Sequence, residues 1–201
     1  MSKHRIGFIA FAFALLVSGG TFAQTRAVEP LGMVIDVQGK ATLTDAGRAS
    51  RLEMLSYLKP QNEIQLSQGA AITLTWYAGS KELRFSGPAR LRVQNTGIEV
   101  VQGKPAQERV VAEAKVAATK TLPPRLGQAA ISMRGVPKPM TPEQEMQREK
   151  LRPAEGAPVG DWVMYAMALE QMGLTGEARG IWRKLSAQRP EDPKLRELAE
   201  R

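Results

Sequence analysis

The chain has 201 residues, of which 43% are hydrophobic and 24% charged, and its formal net charge is +8. That length holds one modest domain or two small ones, and the balance is that of a globular chain rather than a disordered one. Cysteine is absent and His4 is the single histidine, which excludes disulfides, thiol nucleophiles and cysteine-ligated metals.

Residues 1–23 read as a secretory signal peptide. Lys3 and Arg5 precede the apolar run "IGFIAFAFALLVSGG", and Ala23 supplies the small residue that signal peptidase requires. The apolar stretch is roughly 14 residues, short of the ~20 of a spanning helix. The alternative is an uncleaved N-terminal anchor. Cleavage removes Lys3, His4 and Arg5, lowers the formal charge from +8 to +6 and leaves no histidine. Export without disulfides points to a bacterial periplasm, where nucleic acid is a poor partner. No stable membrane span is expected after cleavage.

Residues 28–104 alternate with period two. Met33, Ile35 and Val37 share one face of the first strand, with Val34, Asp36 and Gln38 on the other. Ile72, Leu74 and Trp76 repeat the pattern, as do Leu83 with Phe85 and Leu91 with Val93. Glycines punctuate the series, and Gly79 in "YAGSKE" suits a tight hairpin turn. Leu52, Leu55 and Leu58 recur every three residues, so a helical turn is expected there, ended by Pro60. The expected fold class is α+β: an antiparallel β-sandwich or barrel-like domain, then a C-terminal helical hairpin with a capping helix.

The run "GMVIDVQGKATLT", "LEMLSYLKPQNEIQLSQGAAITLTWYAGSKELRFSGPARLRV" and "GIEVVQG" resembles a FecR-like domain. In such domains an opening strand pair leads through a leucine and a polar loop to an isoleucine strand, a turn and two further strands. Residues 59–63 stand where the family carries glycine-aspartate, and Ala78 stands where it carries aspartate. FecR-like regulators relay signals across the inner membrane. This chain offers no second apolar segment for that, so the resemblance implies a periplasmic fold and not transmembrane signalling.

Residues 105–158 form a Pro-rich linker. Within it, residues 106–121 suit either a short helix or a sheet extension through Val110 and Val111. Residues 129–135 suit one more strand, and residues 142–150 a short polar helix. Residues 159–201 then become strongly helical. Trp162, Ala166, Leu169, Gly173, Ala178, Trp182, Leu185 and Pro190 resemble one tetratricopeptide (TPR) unit over residues 159–192. Asp192 caps a third helix that starts at Pro193, and Leu195 and Leu198 face the hairpin. One such unit does not bury its faces alone. The resemblance implies a binding side on the first helix, with Val163, Met164, Met167, Glu170 and Gln171 as candidate protein contacts; burial against the β-domain is the alternative. A chain divided in this way predicts that the β-domain stays folded without residues 159–201.

No catalytic constellation is visible. The mature chain lacks histidine and cysteine, and it carries neither a Walker-type loop nor a dinucleotide fingerprint. Asp36, Asp45, Glu53, Glu63, Glu82 and Glu99 show no shared-site spacing, and Ser80 with Lys81 is an ordinary turn pair. No enzyme activity, metal or cofactor is expected. The sequence therefore supports an exported adaptor that binds another envelope protein through its tail. The alternative is an envelope ligand binder that takes peptidoglycan or another anionic glycan on a basic sheet face carrying Arg84, Arg90 and Arg92.

Overall fold

The computed structural model describes residues 28–120 and 140–201. The signal peptide expected at residues 1–23 and the strand expected at residues 129–135 lie outside the described residues. In chain order the strands are β1 (Gly32–Gln38), β2 (Ala41–Asp45), β3 (Arg48–Arg51), β4 (Tyr57–Leu58), β5 (Glu63–Leu66), β6 (Ala71–Trp76), β7 (Lys81–Ser86), β8 (Ala89–Gln94), β9 (Gly97–Gln102) and β10 (Gln107–Val110). The helices are α1 (Glu113–Lys120), α2 (Pro142–Leu151), α3 (Val159–Gln171), α4 (Thr175–Gln188) and α5 (Pro193–Glu200). The chain is thus mixed, with strands first and helices after them.

Two antiparallel five-stranded sheets form, in the orders β10-β7-β6-β1-β4 and β3-β2-β5-β8-β9, and neither closes into a barrel. Period-two alternation gives each an apolar side. Ile72, Leu74, Trp76, Leu83 and Phe85 of the first sheet share one core with Ile64, Leu66, Leu91 and Val93 of the second. The second sheet turns its other face to water: β8 alternates buried and exposed at every residue. The β6–β7 hairpin turns through Gly79 and Ser80, at φ 76° and 49°, and that left-handed backbone is why glycine suits the turn.

The first sheet is buried on both faces over β1. Met33, Val34 and Ile35 are consecutive in β1 and each is 0% exposed. Val34 belongs to the core between the sheets, whereas Met33 and Ile35 belong to a second core that the helices complete. The strict alternation expected for β1 breaks at a bulge between Val34 and Asp36. Ile35 is left unpaired, and Asp36 pairs with Thr73 while Val37 pairs with Ile72. The extra residue therefore swings Asp36 onto the helical side and Val37 toward the inter-sheet core.

The helical turn expected around Leu52 to Leu58 does not form. Leu55 N–H donates to the Val34 carbonyl at 2.8 Å, and Val34 N–H donates to the Ser56 carbonyl at 2.9 Å. The edge of β1 takes these backbone groups, so the segment runs as a loop into β4. Residues 106–121 contain both alternatives read from the sequence, with β10 added to the edge at β7 and α1 following it.

Helix α3 packs on the first sheet at close range. A Cβ at Gly160 would stand 2.7 Å from Ile35 Cδ1, so glycine here permits the contact. The α3–α4 turn passes through Gly173 at φ 80°. Trp182, 2% exposed, fills the space between these helices, and its indole N–H donates to Glu170 Oε1 at 2.8 Å. Asp192 Oδ1 accepts from the N–H groups of Lys194 and Leu195 at 2.9 and 3.2 Å, capping α5. Leu195 and Leu198 on α5 join the same helical core. The inner faces of this single hairpin are buried because the sheet, α1 and α5 all lie against it. Among the described residues, no helix is long and apolar enough to cross a membrane.

Candidate functional site

The helical layer is bound to the first sheet by polar contacts as well as apolar ones. The bulge in β1 presents Asp36, 7% exposed, to Arg189 at the end of α4. The pair is bidentate: Arg189 Nη1 reaches Asp36 Oδ1, and Nη2 reaches Oδ2 at 3.3 Å. Gln38 Nε2 donates to the same carboxylate at 3.1 Å. Near the start of α3, Arg109 on β10 bridges Glu82 at 2.6 Å and Asp161 at 2.9 Å, and Lys115 approaches Asp161 at 3.9 Å. Asp161 is 6% exposed, so these cations answer a charge that would otherwise be buried alone.

A cleft of about 540 Å³ opens beside the Arg189–Asp36 pair. Three separate stretches build it: Val37 to Gly39 at the end of β1, Arg51 to Met54 at the end of β3, and Gln188 to Pro193 where α4 passes into α5. Leu52 and Met54, both buried, give it an apolar side. Gln188, Arg51, Glu53 and Glu191 are exposed at its rim, and none of the three charged groups makes an ion pair among the described residues. The volume lies in the range of ligand sites.

The residues nominated from the sequence fall elsewhere. Val163 and Met164 are 0% exposed and Met167 is 3% exposed, all inside the helical core of this chain. Glu170 holds Trp182, and Gln171 Nε2 donates to the Ala118 carbonyl at 2.9 Å, tying α3 to α1. The first helix of the hairpin therefore presents these side chains to its own chain, which is the burial alternative. The tail's structural residues do come together: Ala166, Leu169, Ala178, Trp182 and Leu185 are buried in one core, with Trp162 packed against it. Gly173 sits in the turn, and Pro190 follows α4.

The three arginines of the basic sheet face do not form one cluster. Arg90 and Arg92 lie on β8 in the second sheet, whereas Arg84 lies on β7 in the first. Arg90 and Arg92 both donate to Glu63, at 3.1 and 3.1 Å, from the neighbouring strand β5. Those two hydrogen bonds hold the Glu63 carboxyl below its ordinary range. Hairpin geometry separates Arg84 because β7 and β8, although consecutive, belong to different sheets.

Three of the remaining carboxylates have side-chain partners. Asp45 accepts from Asn62 Nδ2 at 3.0 Å, Glu82 takes Arg109, and Glu99 accepts from Gln94 Nε2. Lys81, the turn lysine beside Ser80, is paired with Glu108 at 3.0 Å. Burial pushes the Tyr77 phenol well above its ordinary range; its hydroxyl donates to the Thr119 carbonyl at 2.8 Å. Among the described residues, no group of three or more acidic or histidine side chains is placed to hold a metal.

Compared with protein-family models, curated proteins and solved structures, the chain matches none. The FecR-like and tetratricopeptide-like resemblances rest on the residues quoted above.

Proposed function

We propose that this chain is an exported, non-catalytic adaptor of the periplasm that binds an envelope protein with its helical tail. The observation that carries the reading is the cleft between the α4–α5 junction and the ends of β1 and β3. It moves the contact from the first helix of the hairpin, whose methionines are buried, to the seam between tail and sheets. Arg51 on one wall and Glu191 on the other would each pair with an opposite charge flanking a short apolar segment of the partner. The test is a photocrosslinking residue placed at position 188 in cells, with position 94 on the open face of the second sheet as control. A single adduct from position 188, lost on Arg51→Glu, supports the reading. Equal labelling from both positions, or none from either, rejects it.

The alternative, a binder of anionic glycan, draws less support. Two of its three arginines are already answered by Glu63, and the third is on the other sheet. Salt-sensitive cosedimentation with isolated cell wall, lost on Arg84→Glu, would restore it.

A further inference from the structure

Two neighbouring helices carry faces that complement each other without touching. Helix α2 buries only Leu151 and turns Met146, 70% exposed, to water. Glu145 and Glu149 lie together on one side of that methionine, one helical turn apart. Glu145 has no ion pair among the described residues, and Glu149 has only Arg152 at 3.9 Å, with both side chains more than half exposed. Helix α4 buries Ala178, Trp182 and Leu185, so its opposite side carries Gly176, Gly180 and Ala187. Arg179 and Arg183 line one flank of that stripe and Lys184 the other; none of the three makes an ion pair among the described residues.

These features work against the isolated fold. Two arginines one turn apart repel each other, and glycine inside a helix is among the poorest formers. Packing within the chain gives no reason for glycine: a methyl group at Gly176 or Gly180 would meet no atom within 4 Å. Costs of this kind without internal compensation mark a surface used by something else. The chemistry of the missing neighbour can be read from α4. It is a helix that brings an apolar knob into a shallow groove, with carboxylates beside it. Helix α2 has that form.

We propose that the chain forms a symmetric dimer in which α2 of each copy packs on α4 of the other, with Met146 over Gly180 and Glu145 and Glu149 facing Arg179 and Arg183. Arg148 on α2 pairs with Glu177 on α4 at 3.2 Å within one chain, so the acidic and basic faces are displayed side by side. A two-fold axis between them makes both contacts at once, the closure that isologous dimers require. The surface is separate from the seam cleft, and the dimer does not rest on the adaptor reading.

The test is sedimentation equilibrium of the purified protein over a concentration series. Wild type is expected at twice the monomer mass. Gly180→Leu fills the groove; the expected result is a folded monomer. Arg179→Glu with Arg183→Glu is expected to be monomeric, as is Glu145→Lys with Glu149→Lys. Mixing those two proteins should restore the dimer, because each then offers the charge the other lacks. A monomeric wild type overturns the proposal, and would leave the α4 face to a foreign acidic helix. So does a dimer that survives Gly180→Leu, or a mixture of the two charge variants that stays monomeric.

Discussion

The two sheets have similar strand counts and the same antiparallel pairing, yet they solve different burial problems. The second sheet has one dry face and one wet face, and β8 shows it residue by residue. The first sheet has no wet face over β1, where Met33, Val34 and Ile35 are all fully buried. Alternation in sequence reports a sheet with one partner. A sheet with partners on both sides reads as a continuous apolar run, and the polar residue that ends the run becomes informative. Here that residue is Asp36.

The largest test of this contrast is removal of residues 159–201. The inter-sheet core would remain, but Met33 and Ile35 would lose the helices that cover them. The expected product is aggregated or molten, with lost near-ultraviolet circular dichroism and strong dye binding. This reverses the expectation of a β-domain that folds without its tail. A truncated protein with a sharp, reversible thermal transition would show that the second sheet stabilises the first unaided.

Trp182→Ala comes next. Removing a fully packed tryptophan from the helical core and leaving Glu170 without its donor should cost about 3–5 kcal/mol in denaturant unfolding. Asp36→Ala strands Arg189, whose side chain is 17% exposed, beside the sheet. The expected loss is on the order of 3 kcal/mol, as for breaking a largely buried pair from one side. Replacing both partners, Asp36→Leu with Arg189→Met, should recover much of it. A double variant as unstable as the single one would locate the cost elsewhere.

The smallest effect belongs to the wet face of the second sheet. Glu63→Gln removes the carboxylate shared by Arg90 and Arg92, and denaturant unfolding is expected to shift only marginally, because exposed ion pairs contribute little. The sign with pH follows from its lowered folded value. Stabilisation is present above the ordinary carboxylate value of 4.5 and disappears as pH falls through the lowered one. A carbon-13 titration of the Glu63 side chain should show a midpoint below the ordinary carboxylate value of 4.5. A midpoint at the ordinary value would remove the clamp.

Much of the strand layout was legible because Ile72, Leu74, Leu83, Phe85, Leu91 and Val93 all face the core that their alternation implies. The helical hairpin was legible from Trp162 to Trp182 with Gly173 between them. What the residues did not disclose was contact over distance. Arg189 and Asp36 are 153 positions apart, and neither has a local pattern that names the other. The bulge that brings them together adds one residue to β1, and nothing in "MVIDVQ" requires it. For the same reason the side of α3 expected to face a partner is turned inward: its own sheet supplies the apolar surface that further repeats would supply in an array.

The position of that covering layer has a kinetic consequence. The outer side of β1 is complete only when residues 159–201 are available, although β1 itself starts at Gly32. A chain synthesised from its N-terminus therefore carries an apolar sheet surface for most of its synthesis and conceals it last. Contacts of such long separation slow folding and prolong exposure to aggregation. The early strands must therefore stay soluble until the C-terminal helices emerge.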